Sequence, residues 1–371
     1  MKRAVAVTMA LLLVTATALP AAAASTNAAA STQSAEAYTG AHVSFQTNGS
    51  AITDYAVDGE LFAENVSVES QSAYESRLGV DADVRLSAVT SLQGTSTSLG
   101  AQSSATVTVE TSGSSTVRAH DNEHGHLVVD AGDGSQYVQI DVPDGATVEQ
   151  QSDSQLVIET ENGSTGSVIV AGDGEVTTND AGNVAASLSG DAKLVLRTHS
   201  DSQSDADQQI EEYVANGTMA AEAYVTERGG EITSSAVAYQ AATVEASQSA
   251  SNEVTMTVDR AQSQGKIVAM TVSKEAIGSV DDLDVAVDGN AAVKAESYSE
   301  LEGAIGNEPR YMVVSETSAS ATVLVGIDHF SEREVTMSGG DGSDSSDGLP
   351  GFGVLPALVA LLGAVGLARR T

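Results

Sequence analysis

From residue 41 onward the chain alternates apolar and polar residues in short runs, the period of a half-buried β-strand. AHVSFQT and AITDYAVDG are two such runs, with Asn48-Gly49 between them as a turn signal, and LFAENVSVES continues the pattern. Between residues 105 and 200 the runs ATVTVE, STVRAH, HLVVDA, QYVQIDV, ATVEQQ, QLVIET, SVIVAG, NVAASL and KLVLRT recur about every ten residues. Gly, Asp, Asn or Pro punctuates most of the gaps, a spacing that favours a β-sandwich or a stacked β-solenoid. VVDAGDG at 128–134 and VIVAGDG at 168–174 form a partial repeat that suggests equivalent turns. The calcium-binding nonapeptide of solenoids is not reproduced.

The period changes at DADQQIEEYVA. Ala206, Ile210, Tyr213 and Val214 fall at helical spacing, and Asn216-Gly217 supplies the stop. Ser72 to Leu78 and Ser299 to Ile305 read as further short helical turns. Strands resume with TMAAEAYVTE and EITSSAVAY, a hairpin about Arg228-Gly229-Gly230, and run on to ATVLVGID. Ser91 to Ser104 is rich in Ser, Thr and Gly and reads as a loop and a soft boundary. The expectation is a mainly β protein: two β-rich blocks, sandwich or solenoid-like, with a short helix between them.

The ends break this pattern. Lys2 and Arg3, the apolar stretch Ala4 to Leu19, and Ala22-Ala23-Ala24 before Ser25 read as a secretory signal peptide. Leu349 to Ala368 is 20 residues without a charge. As a helix it spans ~30 Å, the thickness of a bilayer core, although Pro350 and Pro356 interrupt its first turns. Arg369 and Arg370 follow as a membrane stop, which keeps the body on the outer side. Pro350-Gly351-Phe352, the apolar helix and the two arginines together resemble the PGF-CTERM signal of haloarchaeal surface proteins. That resemblance implies cleavage by an archaeosortase near the motif, loss of Gly353 to Thr371, and a lipid anchor on the new C-terminus. Signal peptidase is the processing partner at the other end.

The organisation expected is therefore 1–24 signal peptide, 25–104 disordered start and N-terminal strands, and 105–200 β-rich block. It continues with 201–217 helix, 218–338 second β-rich domain, 339–348 acidic Gly/Ser linker, and 349–371 sorting signal with transmembrane helix.

Charge changes the picture next. The chain carries 16 Lys plus Arg against 51 Asp plus Glu, and without the four basic residues at its ends the body holds 12 against 51. Such self-repulsion weakens a compact fold unless salt screens it. The composition resembles that of proteins from extreme halophiles, and an ordinary acidic secreted protein is the plainer reading. Nucleic acid and anionic membrane surfaces are poor partners, because binding them needs positive charge, and no nucleic-acid partner is expected. There is no cysteine, hence no disulfide and no thiol nucleophile.

Candidate chemistry is sparse. AHDNEHGH holds His120, His124 and His126, half of the six histidines. If STVRAH and HLVVDA form a hairpin, His120 and His126 face each other ~5 Å apart across it, and Asp121 or Glu123 can add oxygen. Imidazole with carboxylate suits zinc, copper or nickel; a polar surface loop is the plainer reading. Asn48, Asn65, Asn162 and Asn216 lie in N-glycosylation sequons. No nucleophile elbow, zincin motif or phosphate loop occurs, and no cofactor motif. Acids are too many for sequence proximity to nominate a glycosidase pair.

The reading is a non-enzymatic, C-terminally anchored protein of the outer cell envelope or S-layer. Its partners would be neighbouring envelope proteins or glycans. A ligand- or metal-binding module on the His120–His126 loop is the alternative. A surface hydrolase with a site built from distant acids comes third.

Overall fold

A run that alternates can bury only one of its faces, so a second layer must cover it. The computed structural model describes residues 36–340 apart from 80–83, 103–104, 112–113, 201, 229–230 and 251. Its first half carries β1 (Glu36–Thr39), β2 (Val43–Asn48), β3 (Ala51–Val57), β4 (Glu60–Ser70) and helix α1 (Gln71–Leu78). There follow β5 (Thr97–Gln102), β6 (Thr106–Thr111), β7 (Thr116–His120), β8 (His126–Asp130), β9 (Ser135–Asp141) and β10 (Thr147–Ser152). Then come β11 (Gln155–Glu159), β12 (Thr165–Ala171), β13 (Gly174–Thr178), β14 (Val184–Ser189) and β15 (Lys193–His199). One sheet runs β1-β2-β3-β4-β9-β14-β13, and the other β10-β11-β12-β15-β8-β7-β6-β5. The pairs are antiparallel throughout, whereas a stacked solenoid would run parallel. This is a sandwich, with Phe45, Tyr55, Phe62, Leu127, Leu156 and Leu196 in its core.

Two features of this half go beyond the pattern in the sequence. β4 pairs with β9, placing Val66 opposite Ile140 and Val68 opposite Val138. The strands of residues 36–70 thus share one core with the 105–200 block, and the segment at 91–104 carries edge strand β5 rather than loop alone. The partial repeat marks equivalent corners. VVDAGDG leads from β8 into β9 and VIVAGDG from β12 into β13, each time crossing from the eight-stranded to the seven-stranded sheet. Gly132 (φ +65°) and Gly172 (φ +105°) make these corners in a region that side chains disfavour. A Cβ on Gly132 would also lie 2.4 Å from the Ser114 carbonyl oxygen.

Helix α2 (Asp205–Ala215) opens the second half at the predicted place. Ser204 and Asp207 form a capping box at its start, and Ile210, Tyr213 and Val214 are buried. The strands that follow are β16 (Met219–Arg228), β17 (Glu231–Ala238), β18 (Ala242–Ala250), β19 (Glu253–Arg260) and β20 (Gln264–Ser273), then helix α3 (Lys274–Ile277). β21 (Ser279–Val287), β22 (Asn290–Ala291), β23 (Val293–Lys294), helix α4 (Tyr298–Glu302), β24 (Arg310–Glu316), β25 (Ser320–His329) and β26 (Glu332–Gly340) complete it. Sheets β17-β16-β20-β25-β24-β23 and β18-β19-β26-β21-β22 face each other across Met256, Met270, Val323, Ile327 and Met337.

The two sandwiches meet on their outer faces. Val128, Ile169 and Val195 of the eight-stranded sheet pack with Tyr224, Ile267 and Leu324 of the six-stranded sheet, and Ile210, Tyr213 and Val214 of α2 fill the seam. This explains why β12 and β15 read as continuous apolar runs: both of their faces are covered. Among the described residues no helix is long and apolar enough to cross a membrane. The signal peptide, most of the linker, the Pro350-Gly351-Phe352 motif and Arg369-Arg370 lie outside the described residues.

Candidate functional site

The pleat of β15 places Leu194 and Leu196 in the first core and turns Val195, Arg197 and His199 toward the seam. Arg197 is 1% exposed. Asp207 and Glu211 stand one helical turn apart on α2 and face it, while β16 presents Glu222 from the other sandwich. One Arg197 terminal nitrogen donates to Asp207 Oδ1 at 3.0 Å and lies 3.6 Å from Glu211 Oε1. Its Nε lies 3.7 Å from Glu222 Oε1. Burial opposes the guanidinium charge, but Glu222, Tyr224, Asp207 and Glu211 outweigh it and raise its pKa. Burial likewise opposes the Asp207 charge, and Arg197 and then His199 hold that carboxyl below its ordinary value.

A second layer of hydrogen bonds fixes these groups. Tyr239 donates to Glu222 Oε1 at 2.7 Å, and Tyr224 donates to Oε2. Burial first, and then the Glu222 charge, raise both phenols. Ser167, Gln203 and Gln155 all donate to Glu211 Oε2, at 2.6, 2.7 and 3.0 Å. His199 Nε2 lies 2.8 Å from Glu211 Oε1.

The predicted hairpin exists, with His120 opposite His126 in register. Its histidines face different partners, however. His120 Nδ1 lies 3.3 Å from both Ser235 Oγ and Thr106 Oγ1. His126 sits between Asn122 Oδ1 at 3.1 Å and the Tyr239 hydroxyl at 3.2 Å. His124 Nδ1 donates to the Thr198 carbonyl at 3.0 Å, and its Nε2 accepts from Arg197 at 3.1 Å. That arrangement needs a neutral ring. Burial, and then the Arg197 charge, hold His124 and His126 well below the ordinary imidazole value. His120 is pushed down to about 3 by burial, with Arg118 and Lys193 adding to it.

The potential metal ligands that do converge are His124, His199 and Asp207, with donor atoms within 4.8 Å of one another. The Arg197 guanidinium lies within 3.0–3.3 Å of all three side chains. It fills the place of a cation, which a metal ion would have to displace. Glu123, by contrast, is exposed.

Asp121 has a structural task. Its carboxylate accepts the backbone N–H groups of Ala41, His42 and Val43 at 2.9, 2.7 and 2.9 Å, tying the β1–β2 turn to the β7–β8 loop. Asp121→Ala is expected to destabilise the first sandwich by about 2–3 kcal/mol, since hydrogen bonds to a buried charge are the strong ones. Chemical denaturation of the variant and parent in the same salt measures this.

Sequons differ in accessibility. Asn48, Asn162 and Asn216 are exposed, each beside a glycine at a turn or helix end. Asn65 is half-buried within β4 and donates to Ser67 Oγ at 3.2 Å and Asp141 Oδ2 at 3.0 Å.

Sequence reasoning missed Arg197, His199, Glu211, Glu222 and Tyr239. One signal was present: Glu211 stands between Ile210 and Tyr213 on the buried side of an amphipathic helix, where an acid needs a partner.

Comparison with known proteins identifies one segment. Residues 349–370 match the PGF-CTERM motif, the C-terminal sorting signal. The motif indicates archaeosortase processing and C-terminal anchoring at the cell surface in archaea. No curated protein matches the chain in sequence.

Proposed function

We propose that this chain is a lipid-anchored protein of the haloarchaeal cell envelope with a structural or adhesive role, displayed on the outer face. The sorting signal at 349–370 carries this reading. The seam supports the structural part: interlocked ion pairs and apolar packing join the two sandwiches into one stiff unit. Gly339 and Gly340 belong to β26, and residues 341–348, rich in Gly, Ser and Asp, serve in this reading as the spacer between that unit and the membrane. The net charge of −35 suits a medium of concentrated salt. Exposed Asn48, Asn162 and Asn216 are the favoured glycan acceptors. The reading includes no catalytic step: the buried acids converge on Arg197, which offsets their charge.

Truncation after Gly348 tests the anchor. In the native host the truncated protein is expected in the medium and the full chain in the membrane pellet. Equal retention of both in the pellet would remove the C-terminal segment from the account.

The alternative is a metal-binding module, and the His124, His199 and Asp207 cluster is the observation that favours it. Equilibrium dialysis of the folded chain against zinc decides between the two. Stoichiometric uptake that His124→Ala abolishes would support the module; no uptake is expected while Arg197 keeps its place.

A further inference from the structure

Arg260, at the end of β19, is 4% exposed. Three cationic side chains are buried among the described residues: Lys193, Arg197 and Arg260. Lys193 pairs with Asp130 at 2.8 Å and Arg197 with Asp207 at 3.0 Å. Arg260 has no carboxylate partner among the described residues. Its terminal nitrogens donate to the Gln264 carbonyl at 3.1 Å and Gln240 Oε1 at 2.6 Å, its Nε has no partner, and its guanidinium lies 5.2 Å from the Phe330 ring centre. Guanidinium offers five N–H donors, so several are unused. Half-buried Lys266 is a neighbouring cation, also without a carboxylate partner among the described residues; its Nζ donates to the Gly217 carbonyl at 2.6 Å. Burial, and then the Arg260 charge, lower the Lys266 pKa.

In a chain with 51 acids, a buried cation left without one needs an explanation. A cleft at the seam supplies it. About 270 Å³ in volume, the cleft has Arg260, Gln240 and Gly217 on the wall of the second sandwich and Asp173, Asp191 and Ser189 on the wall of the first. A neighbouring cleft of about 430 Å³ shares Gln240 and Ala241 with it and is lined by Arg118 and Lys193. Arg118 too lacks a carboxylate partner among the described residues. Arg118 and Arg260 thus present cationic groups without a carboxylate partner among the described residues to the two clefts, beside Lys193, which Asp130 pairs.

We propose that these two adjoining clefts bind an acidic oligosaccharide, with its carboxylates on Arg260 and Arg118 and its hydroxyls on Asp173, Asp191 and Gln240. At ~30 Å³ per water, the first cleft alone has room for roughly nine water-sized groups, more than a single small anion fills. Guanidinium binds carboxylate through paired N–H donors, and charges this buried are screened by salt much less than surface ones. The opposite wall is acidic, which disfavours a plain polyanion; carboxylates and amides are, however, good acceptors and donors for sugar hydroxyls. The two walls together select a ligand that carries both groups. This gives a ligand class to the adhesive role proposed above, but the binding itself is independent of where the protein is anchored.

Calorimetric titration of the full chain, in the salt at which it is folded, tests the proposal with three probes: trigalacturonate, maltotriose and tricarballylate. Trigalacturonate is expected to bind at least about tenfold more tightly than either of the others, the size of one charged hydrogen bond. Arg118→Gln, at a half-buried position on the second cleft, is expected to weaken it about fivefold or more. Arg260→Gln should abolish it, and near-ultraviolet circular dichroism checks that the variants are folded. Equal binding of maltotriose would overturn the role of charge, and equal binding of tricarballylate that of the hydroxyls. No binding of trigalacturonate by the folded parent would overturn the site while leaving the anchored-surface reading intact.

Discussion

Arg197→Met is expected to lower stability by about 3–5 kcal/mol, the largest effect of any single change at the seam. The cost comes less from lost attraction than from what remains. Glu211 is fully buried and Glu222 is 2% exposed, and both would face an apolar side chain where a guanidinium stood. Methionine preserves most of the volume, so packing contributes little. A second substitution separates the two causes. Glu222→Gln removes one of the stranded charges, so Arg197→Met with Glu222→Gln should recover part of the loss, a coupling that a double-mutant cycle reads directly. Denaturant midpoints of the four proteins in one buffer supply the measurement. If Arg197→Met unfolds within about 1 kcal/mol of the parent, the seam is not held by this network.

Mild acid should loosen the same seam. His120, His124 and His126 have folded-state pKa values below the unfolded value of ~6.5, His120 at about 3. Below ~6.5 the unfolded chain therefore binds more protons than the folded one. Stability from these rings is complete above that pH and falls as pH drops from ~6.5 toward about 3. Between pH 7 and pH 5 each ring kept neutral removes about 2 kcal/mol. Asp207, with its pKa depressed, adds a loss of the same sign at still lower pH. The charged groups facing the rings are Arg197, His199 and Glu222 around His124, and Arg118 and Lys193 near His120. Unfolding curves at pH 7 and pH 5 should show a clear fall in midpoint, and His126→Gln should reduce the difference. Coincident curves would mean that the rings already carry protons in the folded state.

Much of this architecture could be read from the chain because it is local. The nine runs between residues 105 and 200 became strands, Asn48-Gly49 became a hairpin turn, and DADQQIEEYVA became α2. The strands that escaped notice lack the signal. β13, from Gly174 to Thr178, has Val176 as its one apolar side chain, and β5 lies in a Ser/Thr/Gly-rich edge with Leu99 as its one large apolar residue. Such strands are fixed by their neighbours rather than by their own pattern. The joining of residues 36–70 to the 105–200 block rests on the pairing of β4 with β9, about 70 residues away in sequence, which no period reveals.

The seam was illegible for the same reason. His126, Arg197, Glu211, Glu222 and Tyr239 come from four strands or their ends and one helix, and each alone looks like an ordinary polar residue in an acidic chain. The histidine hairpin was visible, but its loop turns inward against the second sandwich rather than outward to solvent. That orientation depends on sheet packing, which the hairpin sequence does not encode. The C-terminal signal was legible because its chemistry is contiguous: three motif residues, an apolar run and two arginines in order.

The account rests on that signal being used. Mass spectrometry of the C-terminal peptide from native membranes tests it most directly. The expected peptide ends near Pro350-Gly351-Phe352, lacks the apolar segment and the arginines, and carries the added mass of a lipid. An unmodified peptide running through Arg369-Arg370 to Thr371 would contradict lipid anchoring and leave an uncleaved spanning segment in its place.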